Sequence, residues 1–166
     1  MEKKPKIKIK LTPTDKIVEI MGWLTLGILW ALAISNYSNI PDTIPYHFNG
    51  AGLAGNYGYK GTILFLPILG TILFVGMTIM NKFPYLFNIT SEITAGNIEK
   101  EYTNATRMIR YLKFAIVLVF SFVVNKYSHA TSKESDVLGT WFLPLILVLI
   151  LIPLIFYIVN SFKAKR

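Results

Sequence analysis

The arrangement of apolar residues constrains this sequence more than any other feature. Four apolar blocks, separated by polar links, cover about half of its 166 residues. They lie at about 17–35, 61–80, 108–127 and 138–162. Such blocks have the length of a helix that crosses the ~30 Å hydrocarbon layer, where the backbone must satisfy its own hydrogen bonds. The sequence therefore predicts an all-α fold, an integral membrane four-helix bundle, as one membrane domain over residues 1–166.

The third block is the weakest of the four. Its uninterrupted apolar part, Phe114 to Val124, is too short to cross a membrane at about 1.5 Å per residue. We extend the predicted span toward its start, and expect Arg110 and Lys113 to direct their charged ends to the membrane surface. Ile98, Tyr102 and Ala105 share one helical face just before it, which predicts a helix that continues into this span. A solvated connector is the alternative.

Lysine and arginine are unevenly distributed among the links. The N-terminal arm holds six, the region between the second and third blocks five and the C-terminal tail three, against one and two in the other links. Cytoplasmic segments of membrane proteins are enriched in these residues. The pattern predicts cytoplasmic N- and C-termini, and we expect the chain to lie in a bacterial cytoplasmic (inner) membrane. The net charge of +8 then reflects membrane orientation, and we expect no nucleic-acid partner.

The first block also has features of a secretory signal peptide. A basic arm precedes it, and Ala31-Leu32-Ala33 resembles a cleavage site. We interpret the block as a retained span. The same helix carries Gly27, Ala31 and Ser35 at intervals of four, which predicts a helix-packing face of small residues.

The link at about 37–60 is expected to lie outside the cell as an ordered cap on the helices. Pro41 and Pro45 favour an extended path, and several glycines then supply turns. Five aromatic residues are more than a passive tether needs. We predict a small ordered extracytoplasmic cap that can contain a short β-hairpin.

The cap also carries a recognisable pattern. Its residues are Pro41, Pro45, His47, Phe48, Asn49, Gly52 and Lys60, followed by Pro67 in the second block; Asp42 also belongs to the cap and could pair with Lys60. This pattern resembles domain of unknown function 1648, which occurs at the N-terminus of SdpI-like membrane proteins. Some of those proteins protect bacteria against a membrane-active toxin, so the resemblance implies an immunity role. The C-terminal signature of SdpI is not found in this sequence.

His47 is the residue that most invites a chemical hypothesis. With His129, Asp42, Glu134 or Asp136 it could hold a divalent metal. The spacings match no ligand motif, and we predict instead a structural histidine that hydrogen-bonds the loop backbone. Accordingly we predict no metal, no cofactor and no catalytic residue.

These observations favour a non-catalytic interaction protein. Its cap would recognise a peptide, a lipid or a partner subunit at the outer face, besides the lipid bilayer itself. Toxin immunity and an accessory role in a membrane complex are two versions of this function. The alternatives are a metal-dependent membrane enzyme that uses His47 and a small transporter. The scarcity of charges inside the predicted spans disfavours the transporter.

Overall fold

The structure is a computed structural model that describes residues 5–49, 53–89, 94, 96–129 and 138–163. Four helices dominate it. Their bounds are α1 Pro13–Ser35, α2 Phe65–Met80, α3 Ile98–His129 and α4 Phe142–Lys163. Two short strands, β1 Thr43–Pro45 and β2 Tyr57–Tyr59, lie between α1 and α2. All four helices are long and apolar enough to cross a membrane when the 3-10 turn Lys60–Leu64 is counted with α2. The predicted all-α four-helix architecture is confirmed.

The start of α1 is fixed by local chemistry. Pro13 occupies the first turn, where its missing N–H costs nothing. The Thr12 hydroxyl accepts a hydrogen bond from the Asp15 N–H at 3.3 Å, and the Asp15 carboxylate accepts one from the Thr12 N–H at 3.0 Å. This reciprocal capping box satisfies two N–H groups that the helix cannot. Helix α1 therefore begins at a defined residue, with Asp15 in its first turn.

Helix α3 is the centre of the bundle and packs against α1, α2 and α4. Its 32 residues correspond to about 48 Å, well beyond the hydrocarbon thickness. The extra length lies before the apolar part. It is the helix predicted from Ile98, Tyr102 and Ala105, and it continues into the third span. These three side chains are buried, and the Tyr102 hydroxyl donates to the Pro5 carbonyl of the N-terminal arm at 3.2 Å. The solvated connector is therefore wrong.

The four helices run alternately up and down. One end of the bundle holds the two strands, and we call it the cap end. The other holds Asp15 and Glu19 of α1 beside Arg107, Arg110 and Lys113 of α3, and we call it the charged end. Between them lies a core that includes Leu29 of α1, Phe74 of α2 and Val117 of α3.

Helix α4 begins four residues later than its apolar block. Gly139 precedes it with a φ of +81°, a conformation that helical residues do not adopt. Its contact with the bundle is mainly with α3, where Phe122 packs edge-on against Trp141 at 5.0 Å. Most of its apolar surface is exposed, as suits a helix whose solvent is lipid.

Helix α1 approaches a neighbouring helix closely at Gly22, which is not part of the predicted packing face. A Cβ added at Gly22 would lie 2.7 Å from the Phe74 ring, whereas one added at Gly27 would meet nothing within 4 Å. Gly27, Ala31 and Ser35 are all exposed on α1. The predicted packing face is therefore directed away from the other described helices, and α1 meets α2 at Gly22 instead.

Two alanine substitutions on α1 test this arrangement. Gly22→Ala must displace Phe74, whose ring is fully buried, so we expect a loss of about 1–3 kcal/mol from overpacking. Gly27→Ala gains helix propensity without a clash, so it should be neutral or stabilising by up to about 1 kcal/mol. Thermal unfolding of both variants in the same detergent measures the difference. Equal stabilities would mean that α1 and α2 do not meet at Gly22.

Candidate functional site

The cap is a β-hairpin, as predicted. Strands β1 and β2 pair antiparallel with Thr43 opposite Tyr59 and Pro45 opposite Tyr57. The pairing continues toward the turn, where Phe48 bridges Ala54. The Asn49 side chain accepts a hydrogen bond from the Leu53 N–H at 3.0 Å. These contacts join the two sides of the hairpin, and predicted Gly52 lies outside the described residues.

Three contacts hold the hairpin on the helices. Lys60, at the start of the second span, forms an ion pair with Asp42 at 2.9 Å. The Tyr127 hydroxyl near the end of α3 donates a hydrogen bond to the Pro45 carbonyl. The Tyr127 ring also packs against Phe48, with ring centroids 6.0 Å apart. Four of the predicted cap residues therefore serve to seat the hairpin on the bundle.

An apolar cavity of about 520 Å³ lies beneath the hairpin. Residues of the cap and of three helices form its wall, among them Ile44, Phe48, Leu66, Val123, Tyr127 and Phe142. Tyr46 and Phe65 also line it and are 59% and 61% exposed. A cavity of this size and chemistry is typical of small-molecule sites, which fall at about 300–1,000 Å³. It can take an apolar group and offers little to a charged one.

His47 lies on the exposed face of the hairpin. Its carbonyl accepts a hydrogen bond from the Gly55 N–H at 2.8 Å, and Gly55 packs beside its ring. The predicted hydrogen bond from the imidazole to the loop backbone is not found among the described residues. The residue is exposed, and its described hydrogen bond to the hairpin is made by its backbone carbonyl.

No group of three histidine or acidic side chains within the described part of the chain could hold a metal ion. Asp42 is engaged by Lys60. Glu134, Asp136 and the side chain of His129 lie outside what the structure describes. The metal hypothesis for His47 thus gains no ligand set from the described residues.

Four of the described ion pairs lie at the charged end, between α1 and α3. Arg107 binds Asp15 through two nitrogens, with Nε at 2.8 Å and Nη2 at 3.1 Å from the two carboxylate oxygens. Such paired contacts fix both distance and orientation. Asp15 also accepts from Thr12, so one carboxylate caps α1 and binds α3.

One turn further along α1, Glu19 is shared by two cations. Arg110 Nε lies 3.2 Å from one of its oxygens and Lys113 Nζ 2.5 Å from the other. Lys113 also donates to the Thr78 hydroxyl of α2 at 2.6 Å and lies 4.3 Å from the centroid of the Phe74 ring. The site therefore joins three helices through a single ammonium group.

The expectation that Arg110 and Lys113 reach out to the membrane surface is wrong. Their side chains are 6% and 1% exposed. They remain inside because the carboxylates of α1 lie beside them. Pairing with these carboxylates costs less free energy than extending past a neighbouring helix into water. The scarcity of charge inside the spans, which disfavoured a transporter, does not hold at this end of the bundle.

A sequence signal for this cluster exists. Asp15 and Glu19 are four residues apart, and Arg107, Arg110 and Lys113 are three apart. Each set therefore occupies one face of its helix. A second buried carboxylate also binds a neighbouring helix. The Ser161 hydroxyl of α4 donates a hydrogen bond to the Glu101 carboxylate of α3 at 3.1 Å.

Neutralising Glu19 should destabilise the protein strongly. Glu19→Gln removes the only carboxylate paired with Lys113 among the described residues and leaves Arg110 with Asp15 alone, which we expect to cost about 3 kcal/mol. Glu99→Gln removes the same charge from an exposed position at the start of α3 and should cost less than about 1 kcal/mol. Thermal unfolding in detergent measures both variants. Similar losses would show that the Glu19 pairs contribute no more than a surface charge.

Comparison with known proteins adds three findings. Residues 24–71 match the model of a family described as Domain of unknown function (DUF1648). This confirms the resemblance predicted from the cap pattern, for the segment from mid-α1 through the cap into α2. An uncharacterized protein of Archaeoglobus fulgidus is 27% identical over 157 residues, covering 86% of this chain and 81% of the relative. No solved structure matches this chain.

Proposed function

We propose that this chain is a non-catalytic membrane protein that binds an apolar segment of a lipid or peptide in the cavity beneath its cap. The observation that supports this most directly is the cavity itself, about 520 Å³ with a largely apolar wall. Phe48 and Tyr127 form part of that wall and also attach the hairpin to the bundle. Cap and cavity are therefore one unit.

The chemistry of the wall favours binding over catalysis. Its hydroxyl groups come from Thr62, Tyr46 and Tyr127, and the last already donates to a carbonyl. General acid or base catalysis near neutral pH needs a group that titrates there, such as a carboxyl or an imidazole. The described residues of the wall include neither, so an apolar ligand with few polar contacts fits this part of the cavity best.

The direction of approach follows from the proposed orientation. We place the termini in the cytoplasm of a bacterial cell and the cap outside the cytoplasmic membrane, on the support of the lysine and arginine distribution. A ligand would then come from the outer leaflet or from a peptide inserted in it. Toxin immunity is one such role, and an accessory subunit that docks an apolar segment of its partner is another.

The exposed aromatic residues support an entrance on the outer surface. Tyr46 and Phe65 line the cavity and remain more than half exposed. Aromatic side chains at membrane interfaces combine an apolar body with tolerance of a polar surrounding. They can therefore contact a ligand that is partly inserted in lipid.

Filling the cavity tests the proposal. Val123→Trp places a large ring in its wall, whereas Val148→Trp makes the same change on the exposed surface of α4. Membranes that contain each variant are exposed to a phospholipid with a diazirine in mid-chain and, separately, to an apolar transmembrane peptide with the same group. We expect Val123→Trp to reduce labelling of the cavity by about tenfold, equivalent to ~1.4 kcal/mol.

Peptide mapping of the labelled protein gives the control. Label in the wild-type protein should concentrate on wall residues such as Leu66 and Phe142. Val148→Trp should keep the wild-type pattern. If Val123→Trp is folded and is labelled in the same places and to the same extent as Val148→Trp for both probes, the cavity is not the binding site.

A further inference from the structure

A second cavity, of about 470 Å³, opens at the charged end of the bundle. The N-terminal arm, α1, α2 and α3 all contribute to its wall. This second cavity lies at the opposite end of the bundle from the cap. A ligand there is independent of the function proposed for the cap cavity. The polar side chains around it are unlike those of the cap cavity.

Positive charge exceeds negative charge around this cavity. Among the described residues, its lining contains four cations, Lys8, Lys82, Arg110 and Lys113, and one carboxylate, Glu19. Lys8 and Lys82 are exposed, whereas Arg110 and Lys113 are buried. The nearby Asp15 is engaged through both oxygens by Arg107. Arg110 also pairs with Asp15, so two described carboxylates, Asp15 and Glu19, face the three cations Arg107, Arg110 and Lys113. Burying unbalanced charge is costly.

The two buried cations also retain donors. A guanidinium has five N–H groups, and Arg110 directs Nε to Glu19 and Nη1 toward Asp15 at 3.4 Å. An ammonium has three, and Lys113 directs two of them to Glu19 and Thr78. Both residues line the cavity. They can each give a charge-assisted hydrogen bond to an anion there without leaving Glu19.

Asn81 adds a polar group to the same wall. Its Oδ1 atom is buried and has no hydrogen-bond partner among the described residues. A buried polar atom without a partner is uncommon in a folded protein and calls for a donor. A hydroxyl or amine next to the anion would supply one.

We propose that this cavity binds a phosphate group, with Arg110 and Lys113 at its base and Lys8 and Lys82 at its rim. Phosphate has several acceptor oxygens and enough charge to balance the excess around Glu19. The group can belong to a phospholipid headgroup or to a free phosphate compound. Ile7, Ile9 and Pro84 form an apolar side of the cavity, which can contact the glycerol and acyl part of a lipid.

The experiment uses the full-length protein in a non-ionic detergent that contains no phosphate. One arm titrates inorganic phosphate, with sodium chloride at matched ionic strength as reference. The other titrates phosphatidylglycerol in mixed micelles, with an uncharged glycolipid as reference. Native mass spectrometry measures bound ligand, and the shift in Tm measures ligand stabilisation. Binding of phosphate alone identifies a free anion, and binding of the lipid alone identifies a headgroup.

Rim variants separate this site from general attraction to a basic protein. The double variant Lys8→Ala/Lys82→Ala removes two charges that line the cavity. Lys10→Ala/Lys16→Ala removes two exposed charges that do not line it. We expect the first pair to weaken binding about tenfold and the second pair less than threefold.

Asn81→Asp tests the base of the cavity with almost no change of shape. Its carboxylate would compete with the anion for Arg110 and Lys113, so we expect binding and the ligand-induced shift in Tm to be lost. Binding that is equal in the two lysine double variants, or unchanged in Asn81→Asp, would overturn the proposal. So would failure of the wild-type protein to retain either phosphate or phosphatidylglycerol above its reference.

Discussion

The pairing of two carboxylates on α1 with three cations on α3 is the interaction on which the rest of the bundle depends. Helices in lipid gain no hydrophobic advantage from meeting one another, so packing and polar contacts determine which faces touch. Arg107 and Lys113 lie almost two turns apart on α3 and bind Asp15 and Glu19 respectively. Two contacts along one interface fix the rotation of each helix as well as the distance between them.

This interface also organises the neighbouring elements. Lys113 contacts Thr78 and the Phe74 ring, and these contacts hold the part of α2 near the charged end against α3. At the other end of α3, Tyr127 contacts Pro45 and Phe48 of the hairpin. A single long helix thus connects the two cavities, one apolar beneath the cap and one rich in cations at the charged end. The ligands proposed for the two cavities differ in chemistry because the walls differ.

Much of the fold could be predicted from the sequence because apolar length and turn residues act locally. The helices follow from the apolar blocks, and the hairpin follows from Pro41, Pro45 and the glycines after them. The late start of α4 at Phe142 reflects the backbone of Gly139, which block length does not reveal. The cap residues were recognised, but the cavity beneath them is formed by side chains from four separate segments. The spacing of Asp15 and Glu19 was visible, whereas their partners about 90 residues away depend on which helices meet.

The double role of Asp15 has a consequence for insertions and deletions. It belongs to the capping box of α1 and also pairs with Arg107, while Glu19 binds α3 one turn later. One residue inserted between them would rotate the rest of α1 by about 100° and move it along its axis by about 1.5 Å. Either the capping box of α1 or the contact of Glu19 with α3 would then be lost. Chain length is therefore constrained between residues 15 and 19, because both contacts depend on that spacing.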